Sequence, residues 1–311
     1  MSKIDLQQGD CLKLMKQIKD QSIDFILCDL PYGTIKGLNI RGWTKTQNNW
    51  DQRLPSDKLF KEYERIIKFN APIILFSQEP YTSELRTGKY NNINFSYPLI
   101  YEKNVFGNCL LTNIKPVNMF EDLSVFYKKY NYNNDLLNYA KSVMEYLTKN
   151  YNINSAYKLS HILHHHKLDH FLRFNSLQFT LPTKEAYQEL IDKFNLQNMN
   201  NFLTYNQLQS FNRKRIFNNN NHAVKSIFKY SKDNDHYHPT QKPVALLEDL
   251  IKLYTNEGMT VLDNCMGSGS TGVACVNTNR DFIGMELNSK YFQIAKNRIS
   301  QAQLDKQKGN D

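Results

Sequence analysis

The sequence lacks any long hydrophobic run and the cysteine patterns that mark disulfide-rich or zinc-binding domains. No apolar stretch in its 311 residues approaches the roughly 18 residues that a membrane-spanning helix needs. The five cysteines are an odd number and include no Cys-x-x-Cys pair, which argues against a disulfide framework and a zinc knuckle. The first residues show no apolar segment typical of a secretory signal. We therefore expect a cytoplasmic protein with reduced thiols and no membrane partner.

The sequence also lacks an acidic surplus. Lys and Arg total 39 against 30 Asp and Glu, and the formal net charge of +9 is compatible with a polyanionic partner. Residues 131–235 alone hold 13 basic and 8 acidic side chains. This region is a candidate nucleic-acid contact, although an A/T-rich coding genome would also produce an excess of Lys and Asn.

Hydrophobic periodicity divides the chain into α/β flanks and a helical middle. Amphipathic helices alternate with four runs that read as buried strands, at 23–28, 72–76, 260–263 and 281–286. Two further strand-like runs, 94–102 and 123–128, are expected to pair antiparallel. We predict an α/β fold with a mostly parallel sheet, formed by residues 1–129 and 225–311, and a helical insert at 130–224.

One of these strands ends in an acid and is followed by a glycine-rich turn and a helix start, in the segment Asp263–Thr271. Glycines there allow a ligand to approach the backbone closely, and a helix N-terminus offers free N–H groups. Glu286 closes the next strand, where a carboxylate can accept hydrogen bonds from ribose hydroxyls. This pairing favours a nucleoside cofactor. Because Gly272 completes a G-x-G-x-x-G spacing, a nicotinamide dehydrogenase stays open on this motif alone.

A second motif, Asp29-Leu30-Pro31-Tyr32-Gly33, follows the strand at 23–28 and places its polar groups at the carboxyl edge of the sheet. An exocyclic amino group on a purine is a poor nucleophile, because its lone pair is delocalised into the ring. Asp29 and the Leu30 carbonyl can accept hydrogen bonds from both of its N–H groups, and Tyr32 can stack on the base. The alternative is a structural turn that is formed by Pro31 and Gly33, with Asp29 as the cap of a helix.

Together these motifs resemble those of the amino-methylating DNA methyltransferases that use S-adenosylmethionine, whose catalytic motif reads Asp/Asn/Ser-Pro-Pro-Tyr/Phe. The segment His238–Pro243 is similar to the family's motif preceding the cofactor strand, and Gly9-Asp10 to its turn at the cofactor adenine. The order of the motifs resembles the β group of the family. The resemblance covers residues 1–129 and 225–300, and it implies a Rossmann-like fold, S-adenosylmethionine as the cofactor and double-stranded DNA as the partner.

The resemblance also implies roles for single residues. A flipped base would be held by Asp29, Leu30, Pro31 and Tyr32. The cofactor would be bound by Asp10, Asp29, Thr240, Lys242, Asp263, Gly267, Ser268, Gly269, Ser270, Thr271 and Glu286. The chain departs from the family's pattern at Leu30, where proline is usual, but this residue is expected to act through its carbonyl. A second departure, Asn264-Cys265, concerns the packing beneath the cofactor.

An aspartate at position 29 indicates, within this family, N6 of adenine over N4 of cytosine. The sequence thus predicts a site-specific adenine methyltransferase of bacterial or phage origin that flips its target base and needs no metal. Methylation of cytosine N4, of RNA or of protein glutamine stays open, as does a binding module without catalysis. A homodimer and a cognate restriction endonuclease are open as partners.

Basic side chains outside these motifs are candidates for contacts with DNA phosphates, namely Arg41, Lys45, Arg213, Lys214 and Arg215. The long loop after Tyr32 also carries Trp43 and Trp50, which either anchor the loop in the core or close with it over the extruded base. Five histidines between positions 161 and 170 include i,i+4 pairs. No acidic or cysteine ligand set accompanies them, so a solvated or phosphate-contacting face is favoured over a metal site.

Overall fold

The computed structural model of the chain divides into two units, Met1–Lys129 with Arg215–Asp311, and Tyr130–Lys214. No helix in the described part of the chain is long and apolar enough to cross a bilayer. The structure describes residues 2–33, 51–107, 113, 116–128, 132–174, 176, 178–210, 215–220, 222–235, 237 and 240–309.

Within the described ranges, the first unit contains one eight-stranded sheet. Its strands are β1 (Ile4–Gln8), β2 (Phe25–Asp29), β3 (Pro72–Ser77), β4 (Ile93–Gly107), β5 (Asn118–Lys128), β6 (Ile227–Tyr230), β7 (Thr260–Asp263) and β8 (Asp281–Glu286). The helices of the chain are α1 (Cys11–Leu14), α2 (Ser56–Ile66), α3 (Tyr81–Thr87), α4 (Tyr132–Tyr151), α5 (Ala156–Leu163), α6 (Asp169–Leu172), α7 (Lys184–Phe194), α8 (Tyr205–Ser210), α9 (Val244–Tyr254), α10 (Ser270–Asn277) and α11 (Ser289–Lys308).

The sheet has the order β1-β8-β7-β2-β3-β5-β4-β6. Neighbouring strands pair in parallel from β1 to β3, and β5 is antiparallel to both β3 and β4. The predicted mostly parallel sheet and the predicted antiparallel pair are therefore confirmed. The pair does not form the edge of the sheet, because β6 adds in parallel beyond β4.

Successive side chains of a strand point to opposite faces of the sheet, and each face carries its own hydrophobic core. In β2, Phe25 and Leu27 pack on the face covered by α9, α10 and α11, while Ile26 and Cys28 pack on the face covered by α1 and α2. A residue two positions beyond Leu27 therefore points to the α9 face. That residue is Asp29, the last of the strand.

The order of the strands also fixes where a ligand can bind. From β2 the chain crosses by α2 to β3 on one side, and from β7 it crosses by α10 to β8 on the other. Because β2 and β7 are parallel neighbours, a crevice opens beyond their carboxyl ends. Asp29 and Asp263 end these two strands, so both predicted motifs lie at the crevice.

The second unit is helical in its described residues and has its own core. The apolar faces of α4, α5 and α7 pack together around large side chains such as Tyr187 and Phe171. Thr183 caps α7 as the sequence indicates, since its hydroxyl accepts a hydrogen bond from the Ala186 N–H at 3.3 Å.

The first unit resumes at Arg215, earlier than the position 225 expected from the sequence. Hydrogen bonds explain the difference. The Asn218 N–H donates to the Leu253 carbonyl at 2.8 Å, and the Asn218 amide donates to the Lys252 and Thr255 carbonyls at 2.9 Å. The segment around Asn218 is therefore hydrogen-bonded to the C-terminal end of α9.

Two histidines of the second unit have an acidic neighbour in the structure. His165 lies 2.7 Å from a Glu189 oxygen, and His166 lies 3.2 Å from a carboxylate oxygen of Asp169. Asp169 also accepts hydrogen bonds from Ser160 and Arg173. The described residues contain no group of three His, Cys, Asp or Glu side chains placed to hold a metal ion.

Candidate active site

A cleft of about 1300 Å³ opens at the carboxyl ends of β2 and β7. It brings together predicted residues from three separate parts of the sequence, and all of them belong to the first unit. The predicted residues that line it are Asp10, Asp29, Leu30, Pro31, Tyr32, Thr240, Lys242, Asp263, Gly267, Ser268, Ser270, Thr271 and Glu286. The catalytic motif and the glycine-rich turn thus border one continuous space.

The Asp29 carboxylate is held from both sides. Its Oδ1 accepts a hydrogen bond from the Tyr32 hydroxyl at 2.5 Å, and its Oδ2 accepts a very short one from the Lys242 ammonium. Burial raises the pKa of Asp29, and the Lys242 charge opposes this effect. A carboxylate offers about four lone-pair positions, so acceptor capacity remains after these two bonds.

Lys242 lies just before α9 and is only 5% exposed. Its Nζ is bound by Asp29, lies 3.0 Å from Glu121 Oε2 and donates to the Thr240 carbonyl at 3.2 Å. The Asp29 carboxylate and the Thr240 carbonyl accept hydrogen bonds from this ammonium, and the Glu121 carboxylate lies at ion-pair distance. Burial disfavours the charge on Lys242, but Asp29 and Glu121 outweigh burial and raise its pKa. Lys242 was predicted to bind the cofactor, and in the structure its charged end contacts the Asp29 carboxylate.

The end of the catalytic motif is fastened to the chain beyond the long loop. The Gly33 N–H donates to the Asp51 carboxylate at 2.8 Å, and the Arg53 guanidinium donates to the Tyr32 carbonyl at 2.7 Å. Gly33 has φ +71°, a conformation that glycine adopts without strain. These contacts fix the backbone around Tyr32.

On the other side of the crevice, Asp263 organises the glycine-rich turn. Its Oδ2 accepts a hydrogen bond from the Thr271 hydroxyl at 2.6 Å, and its Oδ1 accepts one from the Cys265 N–H at 3.1 Å. Burial raises the pKa of Asp263 to about 6, against these two bonds. Asp263 therefore ties the end of β7 to the first turn of α10.

Glu286 and Asp10 carry the remaining acidic groups of the cleft. Glu286 accepts hydrogen bonds from the Gly267 N–H at 2.9 Å and the Asn288 N–H at 2.7 Å, and burial raises its pKa to about 7. Asp10 is exposed at the cleft and caps α1, since its Oδ1 accepts from the Leu12 N–H at 2.9 Å. Both acids are acceptors suited to the hydroxyl and amino groups of a nucleoside.

Gly269 differs from the other predicted cofactor residues. It has φ +82°, and a Cβ there would lie 2.9 Å from the Ala295 Cα on α11. Among the described residues that line the cleft, Gly269 is not found. The structure therefore explains this glycine by its left-handed conformation and its close packing on α11, not by approach to a ligand.

The pair Asn264-Cys265 lies in the lining of the cleft. Asn264 is buried, its Oδ1 accepts a hydrogen bond from the Tyr63 hydroxyl at 2.6 Å, and its amide contacts the sulfurs of Cys265 and Cys11 at 3.4 and 3.7 Å. These contacts satisfy the buried amide of Asn264.

Four residues of the site were not identified from the sequence. Lys103 on β4 and Glu121 on β5 line the cleft and form an ion pair of 2.5 Å. Arg298 on α11 donates to the Ser268 carbonyl at 2.7 Å and so holds the glycine-rich turn. Leu287, 68% exposed after Glu286, offers an apolar surface at the cleft. Lys103 is two residues from Tyr101, and Glu121 is two residues from Leu123, so each points to the same face of the sheet as a buried apolar residue. A charged residue at such a position is the signal that could have found them.

The predicted contacts with DNA fall mostly outside the described residues. Of the five basic residues, only Arg215 is described, and its guanidinium lies 4.0 Å from the ring centroid of Tyr127. Arg215 is exposed, so this stacking leaves its charge at the surface. The predicted residues that lie outside the described ranges are Arg41, Lys45, Arg213 and Lys214, as well as Trp43, Trp50, His238 and Pro239.

Comparison with known proteins agrees with this geometry. Over 292 residues, the chain is 25% identical to the type II methyltransferase M.HpaI of Haemophilus parainfluenzae, which covers 94% of this chain and 72% of the relative. A shorter match of 74 residues is 42% identical to the DNA adenine methyltransferase YhdJ of Escherichia coli K12, covering 24% and 25% of the two chains.

A solved structure shows the same fold. The crystal structure of M1.HpyAVI in complex with S-adenosylmethionine matches with a TM-score of 0.54 and 19% identity, covering 95% of this chain and 99% of that one. The predicted Rossmann-like methyltransferase fold is confirmed, and so is the predicted cofactor, because the family uses S-adenosylmethionine. The family model for N6/N4 DNA methylases matches residues 23–297. The chain therefore belongs to the N6/N4 family of DNA methylases.

Proposed function

We propose that the protein transfers a methyl group from S-adenosylmethionine to N6 of an adenine that is flipped out of duplex DNA. The observation that carries this proposal is the Asp29 carboxylate, held by Lys242 at the edge of the cleft that Glu286 and Gly267 also border. An amine acceptor and a nucleoside site thus share one space. The alternative role of Asp29, a helix cap, is not supported, because residues 30–33 that follow it directly are not helical.

The reaction needs the lone pair of the amino nitrogen. In our proposal, Asp29 and the Leu30 carbonyl accept hydrogen bonds from the two N–H groups, which draws the lone pair out of conjugation with the ring. That lone pair would form the new N–C bond to the methyl group that the bound cofactor supplies, and the electrons of the former C–S bond would stay on the cofactor's sulfur. The nitrogen then loses one proton. Lys242 is already a full ammonium, bound by Asp29 and the Thr240 carbonyl and paired with Glu121, so the carboxylate of Asp29 is the group placed to receive this proton.

The residues on the β7 side suit the cofactor by their chemistry. When bound, S-adenosylmethionine supplies a methyl group activated by its sulfonium charge. Glu286 would accept hydrogen bonds from the ribose hydroxyls and Asp10 from the adenine amine, while Leu287 would pack against the adenine ring.

Duplex DNA must open for this chemistry. Only 22% of the Asp29 side chain is exposed, so a base that stays stacked in a helix cannot reach it. We propose that the helical unit Tyr130–Lys214 recognises the target sequence, and that Arg215 and its basic neighbours contact phosphates.

Adenine is proposed over cytosine because position 29 is Asp, and because the chain is similar over a quarter of its length to a DNA adenine methyltransferase. The family also includes enzymes that act on N4 of cytosine. Both substrates present an exocyclic amine, so the choice of base is a question for experiment.

The test is mass spectrometry of nucleosides from unmethylated genomic DNA incubated with S-adenosylmethionine and either the wild-type protein or Asp29→Ala. N6-methyladenine that disappears in the variant supports the proposal. N4-methylcytosine would refute the choice of base. Absence of any modified base with wild-type protein would refute DNA methylation, and RNA would be the next substrate to assay.

A further inference from the structure

Four charged side chains of alternating sign form one chain across the α9 face of the sheet. The Lys103 ammonium lies 2.5 Å from Glu121 Oε1, Glu121 Oε2 lies 3.0 Å from the Lys242 ammonium, and Lys242 binds Asp29 Oδ2. Lys103, Glu121 and Lys242 are each less than 10% exposed. Three buried charges therefore stand behind the catalytic carboxylate.

The sheet brings these groups together by strand alternation. Leu123 on β5 and Tyr101 on β4 belong to the core on the α9 face of the sheet. Glu121 and Lys103 are each two residues away from one of them on the same strand, so they point to the same face. In the register of the sheet, Asp29 is opposite Phe76, which is in turn opposite Leu123. Asp29 and Glu121 therefore lie on either side of β3.

Lys242 spans this gap. Its Nζ lies 5.2 Å from the ring centroid of Phe76 on β3, between the carboxylates on β2 and β5. The ammonium is thus held between two anions and over an aromatic face. It can move toward Glu121 or toward Asp29, and the balance of the two attractions sets its position.

We infer that Glu121 and Lys103 act as a positioning pair: Glu121 holds Lys242, Lys103 neutralises Glu121, and Lys242 in turn fixes the acceptor oxygen of Asp29 toward the target amine. This inference rests on the proposed function. It assigns a role in methyl transfer to two residues outside the recognised motifs.

Lys103 is needed because one ammonium cannot serve two carboxylates equally. Without Lys103, Glu121 would compete with Asp29 for Lys242. Burial opposes ionisation of Glu121, but Lys242 and Lys103 outweigh it and lower its pKa, which agrees with a fully charged chain. Removing one member alone would leave an uncompensated buried charge and destabilise the fold.

The test therefore uses charge-balanced double variants. In Glu121→Leu/Lys103→Met, the whole outer pair is removed, and we expect single-turnover methyl transfer to slow by about 100-fold, the effect of a small misplacement of reacting groups. The dissociation constants for S-adenosylmethionine and DNA should stay within about twofold, because neither residue is assigned a contact with them.

Glu121→Gln/Lys103→Met is the conservative variant. It carries no extra charge but keeps an oxygen that can accept from Lys242, so we expect it to recover about tenfold of the lost rate, as one hydrogen bond would. The matched control is Asp122→Leu/Arg86→Met. Asp122 is the next residue on β5, and its 3.0 Å ion pair with Arg86 faces α3 instead of the cleft. This control should methylate at the wild-type rate.

The inference is overturned if removing the Lys103–Glu121 pair leaves the rate at that of the control. It is also overturned if both Glu121 variants lose cofactor affinity in parallel with rate, which would indicate a merely structural pair. These results differ from failure of the proposed function, in which the wild-type protein itself would yield no N6-methyladenine.

Discussion

The substitution Asp29→Asn tests the site most sharply, because it changes one atom and keeps the shape of the side chain. Lys242 donates to one oxygen of Asp29 and has no acceptor capacity of its own. In the variant, the amide oxygen must therefore face Lys242. The amide nitrogen then takes the place of Oδ1, where it donates to Tyr32 and presents N–H groups to the N–H groups of the target amine.

The magnitude follows from the number of lost contacts. One acceptor for the reacting amine disappears, and loss of a single preorganised hydrogen bond at a reacting centre costs about 100- to 1000-fold in rate. The opposed N–H groups add to this loss, so we expect the rate of Asp29→Asn to fall by at least this factor. Asp29→Ala should be similarly slow. It should also be less stable, near the lower end of about 3–5 kcal/mol for breaking a buried pair, because Lys242 keeps Glu121.

The assay is single-turnover methyl transfer, with S-adenosylmethionine binding measured alongside by calorimetry. Cofactor affinity should be unchanged in Asp29→Asn. The second-site variant Asp29→Asn/Lys242→Met frees the amide to turn its oxygen toward the amine, and leaves the Lys103–Glu121 pair balanced. It should recover about tenfold of the rate. A rate for Asp29→Asn within tenfold of the wild type would show that Asp29 is not the amine acceptor, or that Lys242 does not orient it.

Three further predictions concern the cofactor side and DNA. The pKa of Glu286 is raised to about 7, and binding of the ribose hydroxyls requires the ionised carboxylate. The affinity for S-adenosylmethionine should therefore fall as the pH falls through about 7, and Glu286→Gln should lose this dependence. Identical pH profiles for the two proteins would contradict this prediction. Gly269→Ala should lower the free energy of unfolding by about 2–5 kcal/mol, from its positive φ and its contact with Ala295. Gly258→Ala has a similar φ but open space around it, so thermal denaturation should show only about 1–2 kcal/mol. Arg215→Glu should reduce the salt slope of DNA binding by about 1, and an unchanged slope would remove this residue from the interface.

Hydrophobic pattern predicted the central strands closely, and it missed the two outermost ones. The predicted strands at 260–263 and 281–286 coincide with β7 and β8, which are buried on both faces and read as apolar runs. In contrast, β1 and β6 lie at the edges of the sheet, are only five and four residues long, and contain no fully buried residue. Such short half-exposed strands resemble loops in a sequence, and only their pairing partners identify them.

The site was predictable where it lies in contiguous motifs, and not where the sheet assembles it. The segments around Asp29 and Asp263 each place their polar groups within a few residues, so their resemblance to the family's motifs could point to them. Glu121 and Lys103 are separated from Asp29 by more than seventy residues, and nothing near them in the sequence signals catalysis. Their role depends on the register of β3 with β5, which sequence patterns leave undetermined.

The acidic residues on the two sides of the cleft have different kinds of partner. On the β7 side, Glu286 and Asp263 are engaged mainly by backbone N–H groups and a hydroxyl, and burial brings their pKa values to about 7 and about 6. On the β2 side, a buried ammonium faces Asp29 instead, and in the proposed reaction it holds the carboxylate that accepts from the target amine. A neutral partner would also orient an aspartate, but it would oppose the effect of burial on ionisation less strongly than a nearby positive charge does. Charge is therefore used where an ionised acceptor is needed during the reaction, and it requires the further compensating charges of Glu121 and Lys103 behind it.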